Sequence, residues 1–128
     1  MCQQQKPLPS MCQSPVVESL WPFIGIFNDV LIELERAEHK HPNWPADRVR
    51  QAAVIAEEAG EALRAALSLT EYEEEGDIRL SDIERSYKIE RMGNAMEYEV
   101  IQTAAMAVRW LLNYRTARAK RNQATSQT

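Results

Sequence analysis

The chain holds no proline after Pro45, and its next stretch, Val49 to Leu69, is rich in alanine and other apolar residues and carries Glu57, Glu58 and Glu61. Such a composition can hardly be anything but helix. At ~100° per residue, Glu57, Glu61 and Glu58 fall at about 0°, 40° and 100°, so the three carboxylates share one face. Like charges crowded in this way repel one another unless a cation sits among them. Ala59 and Gly60 fall on the other side, where their small size is expected to admit another helix closely.

Apolar periodicity extends the helical reading along the chain. Residues 1–16, rich in Gln, Pro and Ser, predict a flexible tail. Leu20, Ile24, Phe27, Leu31 and Leu34 recur at three- and four-residue steps and predict a helix over about 17–39, with Asn28, Asp29, Glu33, Glu35 and Arg36 on its polar face. The segment His39 to Pro45 ends it, because each proline disfavours helix in the residue before. A second helix follows from Pro45 or Asp47 to Leu69, packed through Val49, Ala52, Ala53, Ala56, Ala59, Leu63, Ala66 and Leu67. Glu71 to Asp77 reads as a solvated acidic break. Ser81 and Glu84 form a capping-box pattern that opens a third helix to about Met92. Gly93 then suits a C-terminal cap, and Asn94 with Glu97 suits the start of a fourth helix over 95–118. That helix is the most apolar, through Val100, Ile101, Ala104, Ala105, Val108, Leu111 and Leu112. Residues 119–128 are expected to be a second flexible tail. The fold class expected is all-α, one helical domain at 17–118 built as a four-helix bundle.

One domain is the natural count for 128 residues, of which 45% are apolar and 27% charged. The net charge of −4 speaks against a nucleic-acid polymer as partner. Cys2 and Cys12 lack zinc-ligand spacing and read as free thiols in a reducing compartment. No apolar run reaches a membrane span and no signal-peptide pattern opens the chain, so a cytoplasmic location is expected.

A second acidic position lies in the fourth helix. Counted around the axis from Glu99, Gln102 falls at ~300°, Met106 at ~340° and Arg109 at ~280°, one continuous stripe that includes Glu99 itself. Glu97 lies about 160° away. Glu99 is therefore the residue placed to join Glu57, Glu58 and Glu61 across the bundle. All-oxygen ligands favour Mg²⁺ or Mn²⁺ over zinc or copper. A di-iron bundle would need Glu-x-x-His pairs, whereas His39 and His41 flank a proline turn. The plainer reading keeps the same glutamates as a solvated face paired with Arg64 or with basic side chains elsewhere.

Three stretches, His41-Pro-Asn-Trp44-Pro45, Ala56-Glu57-Glu58-Ala-Gly-Glu61-Ala62 and Glu99-Val-Ile-Gln102 on to Arg109, resemble the MazG-like all-α nucleoside triphosphate pyrophosphohydrolases, in particular the small phage and bacterial type. The likeness covers roughly residues 39–112. The family pattern is Glu-Glu-x-x-Glu followed by Glu-x-x-Asp, and this chain has Gln102 where the aspartate is expected. An amide binds magnesium more weakly than a carboxylate, so Gln102 is expected to hold water or a substrate oxygen instead. What the resemblance implies is hydrolysis of a (deoxy)nucleoside triphosphate to the monophosphate and pyrophosphate, with dGTP or GTP in a phage nucleotide pathway as one substrate. It also implies assembly as a homodimer or homotetramer that completes the bundle.

On that reading Glu57, Glu58, Glu61 and Glu99 hold two or three Mg²⁺ ions that bridge the triphosphate and stabilise charge during attack on the α-phosphoryl group. Glu58 and Glu61 are the expected catalytic pair, one of the first three glutamates serving the attacking water. Lys88 and Arg109 are the expected phosphate cations. Trp21, Phe27 and Asn28 offer stacking surfaces and an amide for the base, although aromatics at helical spacing more often build a core. Trp44, between two prolines, is expected to pin its connection onto the bundle. The competing expectation is a helical binding or dimerisation module without catalysis.

Overall fold

Three side chains fix where two of the helices start. In the computed structural model, which describes residues 15–126 with side chains from Ser19 onward, the elements are α1 (Pro15–Lys40), α2 (Arg48–Glu75) and α3 (Asp82–Thr125). The Asp47 carboxylate accepts the Arg50 N–H at 2.9 Å and caps α2. Ser81 and Glu84 complete the expected capping box: the Ser81 hydroxyl accepts the Glu84 N–H at 3.3 Å, and the Glu84 carboxylate accepts the Ser81 N–H at 2.9 Å. Gly76, at φ +62°, ends α2 with its N–H on the Tyr72 carbonyl at 2.9 Å. A Cβ there would meet the Arg85 guanidinium at 3.3 Å, so glycine suits both the backbone and the space.

The protein is all-helical, and among the described residues it has no strand. One expected break does not exist, and another begins later than expected, at Gly76. Gly93 and Asn94 lie inside the 44-residue α3, and Asn94 and Glu97 cap nothing. A glycine costs a helix interior only about 1 kcal/mol, less than unpairing two helix ends and interrupting a surface that packs along α2. The acidic run Glu71–Glu75 is likewise the last turn and a half of α2. Tyr72, half-buried with the Lys88 ammonium 4.3 Å from its ring centroid, ties that end to α3. The expected C-terminal tail is helical to Thr125. The expected N-terminal tail lies outside the described residues except for Pro15 and Val16, which begin α1. Cys2 and Cys12 lie outside them as well.

α3 runs between the other two helices and packs on both, while the α1 and α2 backbones do not meet. Val30, Leu34 and Ala37 of α1 bury against Ala105 and Met106 of α3, and Val54, Ile55 and Trp44 close over that cluster. The packing face of α1 is therefore offset from the expected one. Leu20, Ile24, Phe27 and Leu31 are exposed, whereas Glu33, expected on the polar face, is buried. The expected α2 surface also differs, since Val49, Ala53, Ala56, Ala59, Leu63 and Leu67 face out. Nothing approaches Gly60. Among the described residues no helix is long and apolar enough to cross a membrane.

Candidate metal centre and adjoining cleft

Helix α2 presents Glu58 and Glu61 one turn apart to the side of α3 that carries Glu99. Carboxylate oxygens of these three residues lie within 4.8 Å of one another. One oxygen of Glu58 and one of Glu99 are shielded from water and meet no donor. A shielded acceptor left without a partner is costly, and two facing like charges make it more so. Burial first, then the charges of Glu61, Glu99, Glu57 and Glu33, push the Glu58 carboxyl above its ordinary value. No basic side chain is ion-paired with either carboxylate: among the described residues the ion pairs are Glu33–Arg36 and Asp77–Arg79, and Arg36 attracts Glu58 only at longer range. Arg64, which the plainer reading pairs with these glutamates, lines the same depression as Glu61 and Glu99 without bonding to either. A divalent cation fits this donor set, because oxygen-only, anionic and partly dehydrated ligands are what Mg²⁺ and Mn²⁺ take.

Glu57 stands apart from the cluster. It is exposed and, with Glu58, lines a neighbouring cleft of about 460 Å³, a volume suited to a small ligand. Gln102 lines the same cleft from α3. The carboxylate cluster thus lies between this cleft and the smaller depression behind Glu61.

The far wall of the cleft is built by a clamp. Arg109, 4% exposed, donates through Nη2 to the His41 carbonyl at 2.6 Å, and its guanidinium lies 4.7 Å from the Trp44 ring centroid. Gln51 adds a bond to the Pro45 carbonyl at 2.6 Å. Together they fasten the α1–α2 connection to α2 and α3, which is the pinning role expected of Trp44.

Of the sequence-predicted residues, the fold brings Glu58, Glu61 and Glu99 together and sets Glu57, Gln102 and Arg109 around the adjoining cleft. It does not bring Trp21, Phe27 or Asn28 there; all three are exposed on the first half of α1. Lys88 is over Tyr72, near the α2–α3 turn. Two further cleft residues are ones that sequence reasoning misses. Glu33 and Arg36 of α1 face Glu57 and Glu58 across the cleft, and Glu33 is 6% exposed. A signal for Glu33 exists in the sequence, since Val30, Glu33, Leu34 and Ala37 have the i, i+3, i+4, i+7 spacing of one buried stripe.

Compared with protein-family models, curated proteins and solved structures, the chain matches none.

Proposed function

We propose that this protein is a cytoplasmic, divalent-cation-dependent nucleoside triphosphate pyrophosphohydrolase of the MazG-like type. The observation that supports this best is the pair of shielded, donor-free oxygens on Glu58 and Glu99, next to a cleft large enough for part of a nucleotide. Glu58, Glu61 and Glu99 would hold Mg²⁺ or Mn²⁺, and Gln102 in place of a fourth acid favours fewer ions than a fully acidic set. The bound cation would neutralise triphosphate charge that the carboxylates alone repel.

The reaction adds water to the α-phosphorus and breaks its bond to the bridging oxygen, giving the monophosphate and pyrophosphate. Glu57, open to the cleft and outside the cluster, is the carboxylate free to orient that water and take its proton. The Gln102 amide can donate to a phosphate oxygen or accept from water. The Arg109–Trp44 clamp keeps the far wall in place.

The bundle is completed by a second copy. Leu20, Trp21, Phe23, Ile24, Ile26, Phe27, Leu31 and Ile32 of α1 are each 47–69% exposed, more apolar surface than a soluble monomer leaves uncovered. A helix apolar on every side belongs in an interior.

The test is pyrophosphate release from a panel of canonical and modified dNTPs in Mg²⁺. Release that requires the cation and falls by orders of magnitude in Glu61→Gln is expected. Absence of release, or an unchanged rate in that variant, would leave the helical binding module as the better reading.

A further inference from the structure

Five glutamates surround or flank the site, so an incoming polyphosphate also needs fixed positive charge from the protein. Three cationic side chains line the cleft: Arg36, Lys40 and Arg109. Arg109 is buried and committed to the His41 carbonyl and the Trp44 ring. Lys40 is exposed in the last turn of α1, and no hydrogen bond or ion pair fixes it. Arg36 alone is both accessible and held. Its Nε and Nη2 each donate to Glu33 at 2.7 Å, a bidentate pair whose carboxylate side is 7% exposed and whose guanidinium side is 44% exposed. The guanidinium also lies 6.0 Å from the Tyr98 ring centroid of α3.

This is more than a surface i, i+3 pair would require. A solvated pair keeps both partners wet and mobile and contributes little. Here one partner is sunk into the α1–α3 packing, so the fork is fixed from behind. Two of the five guanidinium N–H donors go to Glu33. The other three have no acceptor and belong to a side chain that lines the cleft opposite Glu57 and Glu58. Planar N–H forks match the paired oxygens of a phosphate, and a fork already fixed loses less freedom when it binds.

We infer that Arg36 binds a phosphate group of the polyphosphate in this cleft and that Glu33 is its positioning residue. The inference rests on the triphosphate reading of the cleft. It also adds α1 to a site that the carboxylates alone would assign to α2 and α3.

The probe is inorganic tripolyphosphate with Mg²⁺, titrated calorimetrically into wild type, Arg36→Lys, Arg36→Met and Glu33→Gln. Mn²⁺ binding and helical circular dichroism are measured on each. Arg36→Met should weaken tripolyphosphate binding about tenfold or more, while Mn²⁺ affinity and helicity stay as in wild type. Arg36→Lys should fall between, because it keeps the charge and loses the fork. Glu33→Gln should weaken binding in wild type but add nothing to Arg36→Met, which a merely structural role for Glu33 would not produce. Wild-type affinity in Arg36→Met, equal loss of Mn²⁺ binding in that variant, or no tripolyphosphate binding by wild type overturns the inference. Arg36-dependent tripolyphosphate binding without pyrophosphate release from any dNTP would instead overturn the hydrolase reading and leave this one standing.

Discussion

Glu58 of α2 and Glu99 of α3 reach to within 4.8 Å of each other, and each keeps one carboxylate oxygen that is shielded from water and bonded to no donor. The arrangement is strained electrostatically when no cation is bound, and its consequences are measurable in the metal-free protein.

The Glu58 carboxyl is pushed above its ordinary value of 4.5, chiefly by burial and then by its acidic neighbours. Above pH 4.5 the folded state therefore holds more protons than the unfolded chain, and stability falls as pH rises through the raised value. In chelator, the melting temperature of wild type should decline over this window, and Glu58→Gln should flatten the decline. Millimolar Mn²⁺ should flatten it too. Parallel melting curves for wild type and Glu58→Gln at every pH would show that the carboxylate is not crowded.

Gly93 lies in the interior of α3 with nothing within 4 Å of a Cβ built there. Gly93→Ala should raise stability by about 0.5–1 kcal/mol in urea unfolding, because it removes an entropic cost without a clash. A destabilised variant would indicate that the helix is interrupted at that point.

That position also shows where sequence reasoning reaches its limit. Ser81 and Glu84 form their cap as read, since a capping box is satisfied by atoms within four residues. The expected fourth helix start at Asn94 and the acidic break opening at Glu71 rest on equally local cues, yet packing along α2 and α3 removes the first and delays the second to Gly76. The acidic triplet and Glu99 were legible because helical spacing fixes which side chains share a face. What spacing could not give is which face the neighbouring helix covers. For this reason Glu57 falls outside the cluster, Glu33 is buried rather than solvated, and Trp21, Phe27 and Asn28 lie away from the cleft.

Arg109 is a clamp in this fold more than a ligand cation. Arg109→Met keeps the stem but leaves the His41 carbonyl and the Trp44 ring without their partner. Chemical denaturation should show a loss of about 2 kcal/mol. Unchanged stability with a specific loss of nucleotide affinity would assign Arg109 to the ligand instead.

The apolar first half of α1 predicts self-association. Sedimentation at micromolar concentration should give a dimer or tetramer, and Ile24→Glu with Phe27→Glu should shift it to monomer. A wild-type monomer would mean that some other molecule covers those eight side chains.

The most direct test of the proposed cation site is Mn²⁺ binding followed by electron paramagnetic resonance on wild type, Glu58→Gln and Glu99→Gln. Neutralising either residue should weaken saturable Mn²⁺ binding by about ten- to a hundredfold, with helicity preserved. Binding of wild-type strength in both variants would contradict the assignment of Glu58, Glu61 and Glu99 as the metal centre.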